Sequence, residues 1–206
     1  MMSVAAKNAV RHTIYTAFVV YAPSRSFDYS DIRVQKSAPA SAALPIPVSM
    51  LDARAYVEAI RTLQPAAAAW VRWAYADRHP TAANNDLHTI AHDLWENYRC
   101  TLKTITDEQE ARLMALVQPA LEQVAALNRR GKKKYRRTDL YELTGAPESS
   151  WQRDMQPHWK ALQDYLKNLD HRALTALDMK LAMVNHRHEL GAAYDVASRV
   201  EMRVAV

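Results

Sequence analysis

The sequence predicts a mainly α-helical protein, with helical domains containing a helix-turn-helix and with an irregular N-terminal arm. Three observations lead there. Glycine is scarce in 206 residues, only Gly131, Gly145 and Gly191, while alanine and leucine are abundant; that composition favours helix. From residue 50 onward, apolar side chains recur every three or four positions, the spacing of a buried helical stripe. Between Thr138 and Gln156, two short amphipathic segments flank Gly145-Ala146-Pro147, the layout of two helices joined by a tight turn.

Taken in order, residues 3–21 fit a helix with Val10, Ile14, Ala17, Phe18 and Tyr21 on one face. The β-branched and aromatic run Thr13 to Tyr21 also fits a strand. Residues 22–49 are rich in Pro, Ser and Ala and read as a linker or loose arm, with Ile32 and Val34 as a short strand at most. Leu51 to Leu63 is a helix with Leu51, Ala55, Ile60 and Leu63 at suitable spacing. Pro65 opens the next, which carries Trp70, Trp73 and Tyr75 and stops at His79-Pro80-Thr81. Asp86 to about Leu102 follows, with Leu87, Ile90, Leu94 and Tyr98 as its buried stripe. Thr106 and Gln109 have capping-box spacing, and Pro119 should kink or divide the helix they start. Beyond the turn, Pro157 starts a helix to about Asn168. Asp170 caps another carrying Leu174, Leu177, Leu181 and Val184, Gly191 interrupts it, and Ala192 to Arg203 is the last helix. The regions are thus 1–49 (N-terminal segment and linker), 50–128 (helical), 129–170 (basic run and helix-turn-helix) and 171–206 (C-terminal helices).

The charge is concentrated. Seven of the nine residues from Arg129 to Arg137 are basic, so a net charge of +5 becomes −2 without that run. A local patch of this kind is the electrostatic footprint of nucleic-acid binding. The run leads directly into the two short helices. Thr138 or Asp139 can cap the first, with Asp139 and Glu142 at capping-box spacing; Gly145 can end it in the left-handed conformation; Pro147 suits the first turn of the second. Trp151 should be buried with Leu140, Leu143 and Trp159. That leaves Ser149, Ser150, Gln152 and Arg153 outward, with Gln156 at the margin. Gln and Arg read adenine and guanine edges in the major groove, and Ser contacts bases or phosphates. Lys132, Lys133, Lys134, Arg136 and Arg137 should lie along the phosphate backbone. The plainer alternative is an αα-hairpin preceded by a solvated basic loop.

Other chemistries are poorly served. A single cysteine, Cys100, excludes an internal disulfide and a multi-cysteine zinc site. His88 and His92 stand four apart, with Asp93 beside them and His186 and His188 elsewhere. The glutamate of a zinc-protease helix is missing, however, so surface histidines and no metal are expected. Trp70, Trp73 and Trp95 suit a core better than a base-stacking platform. No phosphate-loop glycines, nucleophile elbow or paired-carboxylate motif appears. No apolar run reaches transmembrane length, and Ile14 to Ala22 is interrupted by Thr and Tyr with no cleavage site after it. These features predict a soluble intracellular protein without cofactor or membrane partner; the rival from another class, a metal-dependent nuclease or other phage enzyme, would have to hide its site in the common scatter of Asp and Glu.

The segments AAAAWVRWAYADRHP, HDLWENYRCTL, RLMALVQPALEQVAA and YRRTDLYELTGAPESSWQRDMQPHWKALQDYLKNLDHRAL resemble the Q antitermination proteins of lambdoid phages, the phage 82 type most of all. The resemblance spans roughly residues 65–185. Its most specific part is the order Tyr135, Leu140, Leu143, Gly145, Trp151, Pro157, Trp159, Leu162, Leu169, Asp170. The paired cysteines of the zinc-bearing lambda type are missing. The resemblance implies a non-enzymatic protein of the host bacterial cytoplasm that binds a double-stranded DNA element at the phage late promoter. It also implies engagement of paused host RNA polymerase holoenzyme with sigma still bound, and read-through of terminators into the late genes. The alternative is a helix-turn-helix phage repressor or activator without antitermination activity.

Overall fold

The computed structural model describes the backbone of residues 3–21, 50–76 and 80–204, and side chains within 3–17, 53–76 and 81–183. Among the described residues the chain is helical and contains no strand. The helices are α1 (Val4–Tyr21), α2 (Met50–Arg61), α3 (Pro65–Tyr75), α4 (Pro80–Arg99), α5 (Asp107–Met114), α6 (Val117–Arg130), α7 (Arg137–Thr144), α8 (Glu148–Asp154) and α9 (Gln156–Val204). Two compact units are formed, Met1–Leu63 with Leu174–Val206, and Gln64–Ala173.

In the first unit, α1 resolves the choice between helix and strand for residues 3–21 in favour of helix. It packs on α2, with Ile14 and Ala17 fully buried. The buried stripe of α2 is Ala53, Val57 and Ile60. The expected stripe through Ala55 is displaced: Ala55 is half-buried, whereas Ala53 and Ala59 are buried. Leu174, Leu177 and Leu181 of α9 are buried in this unit. The arm 22–49, with its candidate strand at Ile32 and Val34, lies outside the described residues.

In the second unit, α3 opens on Pro65 as expected. Helix α4 starts at Pro80, six residues ahead of the expected Asp86. Proline is tolerated in a first helical turn because its missing N–H has no intrahelical partner there. Asp86 is consequently inside the helix, 5% exposed, and paired with Arg72 of α3 at 2.6 Å. The capping box forms between Thr106 and Gln109. The helix after it divides just before Pro119, which falls in the first turn of α6.

The segment after the short helices differs most from expectation. Asp170 caps no helix and Gly191 breaks none: α9 is continuous from Gln156 to Val204, through the boundary read at residue 170. Asp170 is a buried acceptor instead. It takes the Trp70 indole N–H at 2.9 Å and the Tyr75 hydroxyl, and Asn128 Nδ2 donates to that hydroxyl oxygen at 2.9 Å. The network ties α3, α6 and α9 together with each buried donor matched to an acceptor.

Candidate nucleic-acid interface

All seven cations of the basic run are exposed, and two of them, Arg129 and Lys134, are also tied by their side chains to neighbouring helices. Arg129 points back at the C-terminal end of α3, donating Nη2 to the Trp73 carbonyl at 2.7 Å and Nε to that of Ala74. A guanidinium on the unpaired carbonyls at a helix C-terminus is a stabilising cap, so Arg129 belongs to the fold. Gly131 ends α6 at φ 65, its N–H bonded to Leu127 at 2.9 Å. Lys132 and Lys133 are then exposed. Lys134 is tied to Glu122 of α6 and lies 5.4 Å from the Tyr135 ring centroid.

Glu122 also accepts from the Tyr135 hydroxyl. Burial pushes the Glu122 carboxyl up, but the hydrogen bonds from Lys134 and Tyr135 outweigh it, and the net shift is downward. The Tyr135 phenol is pushed up to about 12 by burial and by the hydrogen bond to Glu122. Gln123, the next residue of α6, accepts the backbone N–H of Lys134 at 3.0 Å and of Tyr135 at 2.9 Å.

Helix α7 starts earlier than expected. Arg136 is its N-cap residue and Arg137 its first helical residue; Asp139, three positions on, accepts the Arg136 N–H at 2.7 Å. The expected Thr138 cap and Asp139–Glu142 box are replaced by this bond, because Asp139 reaches backward to the exposed N–H. Arg136 and Arg137 are exposed at the positive end of the helix dipole, a placement that costs stability. Gly145 ends α7 at φ 63, as expected. Thr144, unremarked in the sequence, donates its hydroxyl to the Leu140 carbonyl at 2.8 Å and accepts the Ala146 N–H at 3.3 Å. The turn is thereby closed on itself with Ala146 buried.

Seven-residue α8 is far too short to persist alone and depends on packing. Trp151 is 2% exposed, and its ring meets Tyr141 of α7 at 5.2 Å. Leu140 is buried as expected, but Leu143 is half exposed and Trp159 only half-buried. Tyr141 takes the place assigned to Leu143, since position 141 faces the Trp151 indole. Ser149, Gln152 and Arg153 are exposed on α8. Ser150 turns its hydroxyl back to the Pro147 carbonyl at 3.3 Å. Arg153 pairs with its neighbour Asp154 at 2.6 Å; that hydrogen bond raises the Arg153 pKa and lowers that of Asp154. A shallow groove beside α8 is lined by Gln152, Gln156, Pro157 and Lys160. Lys160 was not singled out from sequence; its step of four from Gln156 along α9 is the signal that places it there.

His88 and His92 are exposed on α4, and among the described residues no group of three His, Cys, Asp or Glu side chains comes together. The side chains of His186 and His188 lie outside the described ones. Among the described residues, no helix is long and apolar enough to cross a membrane. The family model described as phage antitermination protein Q matches residues 30–190, reaching further toward the N-terminus than the segments at 65–185. Neither the curated proteins nor the solved structures yield a match.

Proposed function

The chain belongs to the phage antitermination protein Q family, a family of phage transcription regulators, and on that premise we propose that it binds a DNA element at the phage late promoter. The α7–turn–α8 pair acts as a helix-turn-helix with α8 in the major groove. Bound there, the protein modifies host RNA polymerase holoenzyme, sigma included, so that it reads through terminators into the late genes, in the manner of the phage 82 type. It acts by binding, with no catalytic step of its own.

The observation that carries this reading is one continuous stretch. Exposed Lys132, Lys133, Arg136 and Arg137 lead into α7, and the turn closed by Gly145 and Thr144 then delivers Gln152 and Arg153 exposed on α8. Phosphate contacts from the first set supply affinity and register, and base contacts from the second supply sequence discrimination. Ser149 joins the base-reading set. Lys134 and Ser150 have partners within the chain, so each reaches DNA by exchanging that partner. The test is transcription by purified holoenzyme from the cognate late promoter through a terminator, with and without the protein. Read-through should rise in its presence. Promoter binding with unchanged termination would instead favour a repressor or activator.

A further inference from the structure

The loop Gly131 to Arg136 is tethered at its start, middle and end. Gly131 closes on α6 through Leu127, and Arg136 is held by Asp139. In the middle, the Gln123 side-chain carbonyl takes two successive backbone N–H groups, those of Lys134 and Tyr135. Both partners are donors, which fixes the oxygen end of the amide. Gln123 is 3% exposed. Burying an amide costs desolvation that an apolar side chain of similar length avoids, so its presence on the inner face of α6 calls for a purpose beyond filling the core.

We propose that Gln123 is a positioning residue for DNA-backbone binding: its double hydrogen bond sets the shape of the loop that presents Lys132 and Lys133 before DNA arrives. The proposal rests on the DNA-binding reading above. A loop that must be ordered during association loses affinity to that ordering, whereas a loop already held does not. Removing the clamp therefore weakens binding without removing any phosphate contact.

The test uses the full chain and a fluorescently labelled mixed-sequence DNA duplex, titrated at several salt concentrations. Gln123→Met keeps side-chain length and lacks the acceptor. It should bind about tenfold more weakly at every salt concentration, with the slope of log K against log salt unchanged. The double variant Lys132→Ala, Lys133→Ala should lose up to about 1.8 of that slope. A Gln123→Met protein that is folded by circular dichroism and binds like the parent overturns the inference, as does one whose slope falls like that of the lysine variant. If the parent binds no duplex, the DNA-binding reading itself fails, a distinguishable result. Amide hydrogen exchange on the parent chain provides a check that needs no variant. The Lys134 and Tyr135 amides should exchange far more slowly than those of Lys132 and Lys133; equal rates would show that no clamp exists.

Discussion

The indole Nε1 of Trp70 meets the carboxylate of Asp170 across 2.9 Å, a hundred residues away in sequence. Trp70 is fully buried and Asp170 is 3% exposed. A buried donor left without its acceptor costs about 1–3 kcal/mol. Asp170→Ala should therefore destabilise the protein by at least that amount, with more lost at Tyr75, as read by chemical denaturation. A change smaller than about 0.5 kcal/mol, ordinary for a surface substitution, would mean that the network contributes nothing.

Trp151 and Leu143 should differ sharply. Trp151→Ala empties a site against Tyr141 and should cost about 3–5 kcal/mol. Leu143 is half exposed, so Leu143→Ala should change stability by no more than about 0.5 kcal/mol. Equal costs for the two would place the shared core of α7 and α8 elsewhere.

The Tyr98–His158 contact predicts a pH dependence. The Tyr98 hydroxyl and His158 Nδ1 are hydrogen-bonded, and burial holds the imidazole below its usual 6.5 and raises the Tyr98 phenol. The unfolded chain takes up the imidazole proton near pH 6.5, before the folded one does. The contribution is thus fully present above about 6.5 and is lost as pH falls through the lower folded value. Melting temperature should decline across this range, and His158→Gln should flatten the decline. An identical decline in both proteins would remove His158 from the account.

Much of the fold was legible because its signals are local. Pro65, the Thr106–Gln109 box and Gly145 act through bonds within a turn of themselves, and each sits where the sequence placed it. The errors lie where a distant partner decides. Asp170 is a sound helix cap by local chemistry, yet Trp70 and Tyr75 take its carboxylate and α9 runs on through it. Asp86 likewise starts no helix, since α4 already begins at Pro80, and its carboxylate pairs with Arg72 of α3. Arg129 and Lys134 were indistinguishable from Lys132 and Lys133 as members of a charge run; only the neighbouring α3 carbonyls and Glu122 separate them. Gln123 carries no sequence signal, since its partners are backbone N–H groups eleven and twelve residues away.

Glu122 should oppose its neighbour Gln123. Its carboxylate holds Lys134, and on the proposed DNA-binding reading it would compete with phosphate for that ammonium. Glu122→Gln should release that ammonium, tighten binding to mixed-sequence DNA and steepen the salt slope by up to about 0.9. A weakened variant would show that holding Lys134 in place matters more than its free charge.

On the proposed DNA-binding reading, positioning and reading are separable in the last three variants. Lys132 and Lys133 precede α7, where contacts to phosphate carry no sequence information. Replacing both with Ala should weaken cognate and scrambled duplexes alike. Arg153 is on α8, and a bidentate contact to a base there discriminates by roughly tenfold to a hundredfold. Its ion pair with Asp154 is exposed and so weakly held, which leaves the guanidinium available for exchange onto a base edge. Arg153→Ala should lower affinity for the cognate site far more than for scrambled DNA, relaxing preference at one or two base pairs. Asp154→Asn removes both the competing carboxylate and its repulsion toward phosphate, so it should tighten binding to both duplexes. Titrations of each variant on both duplexes at several salt concentrations read all three effects together. If Arg153→Ala weakens both duplexes equally while the lysine changes erase discrimination, the loop reads the sequence and α8 only positions it.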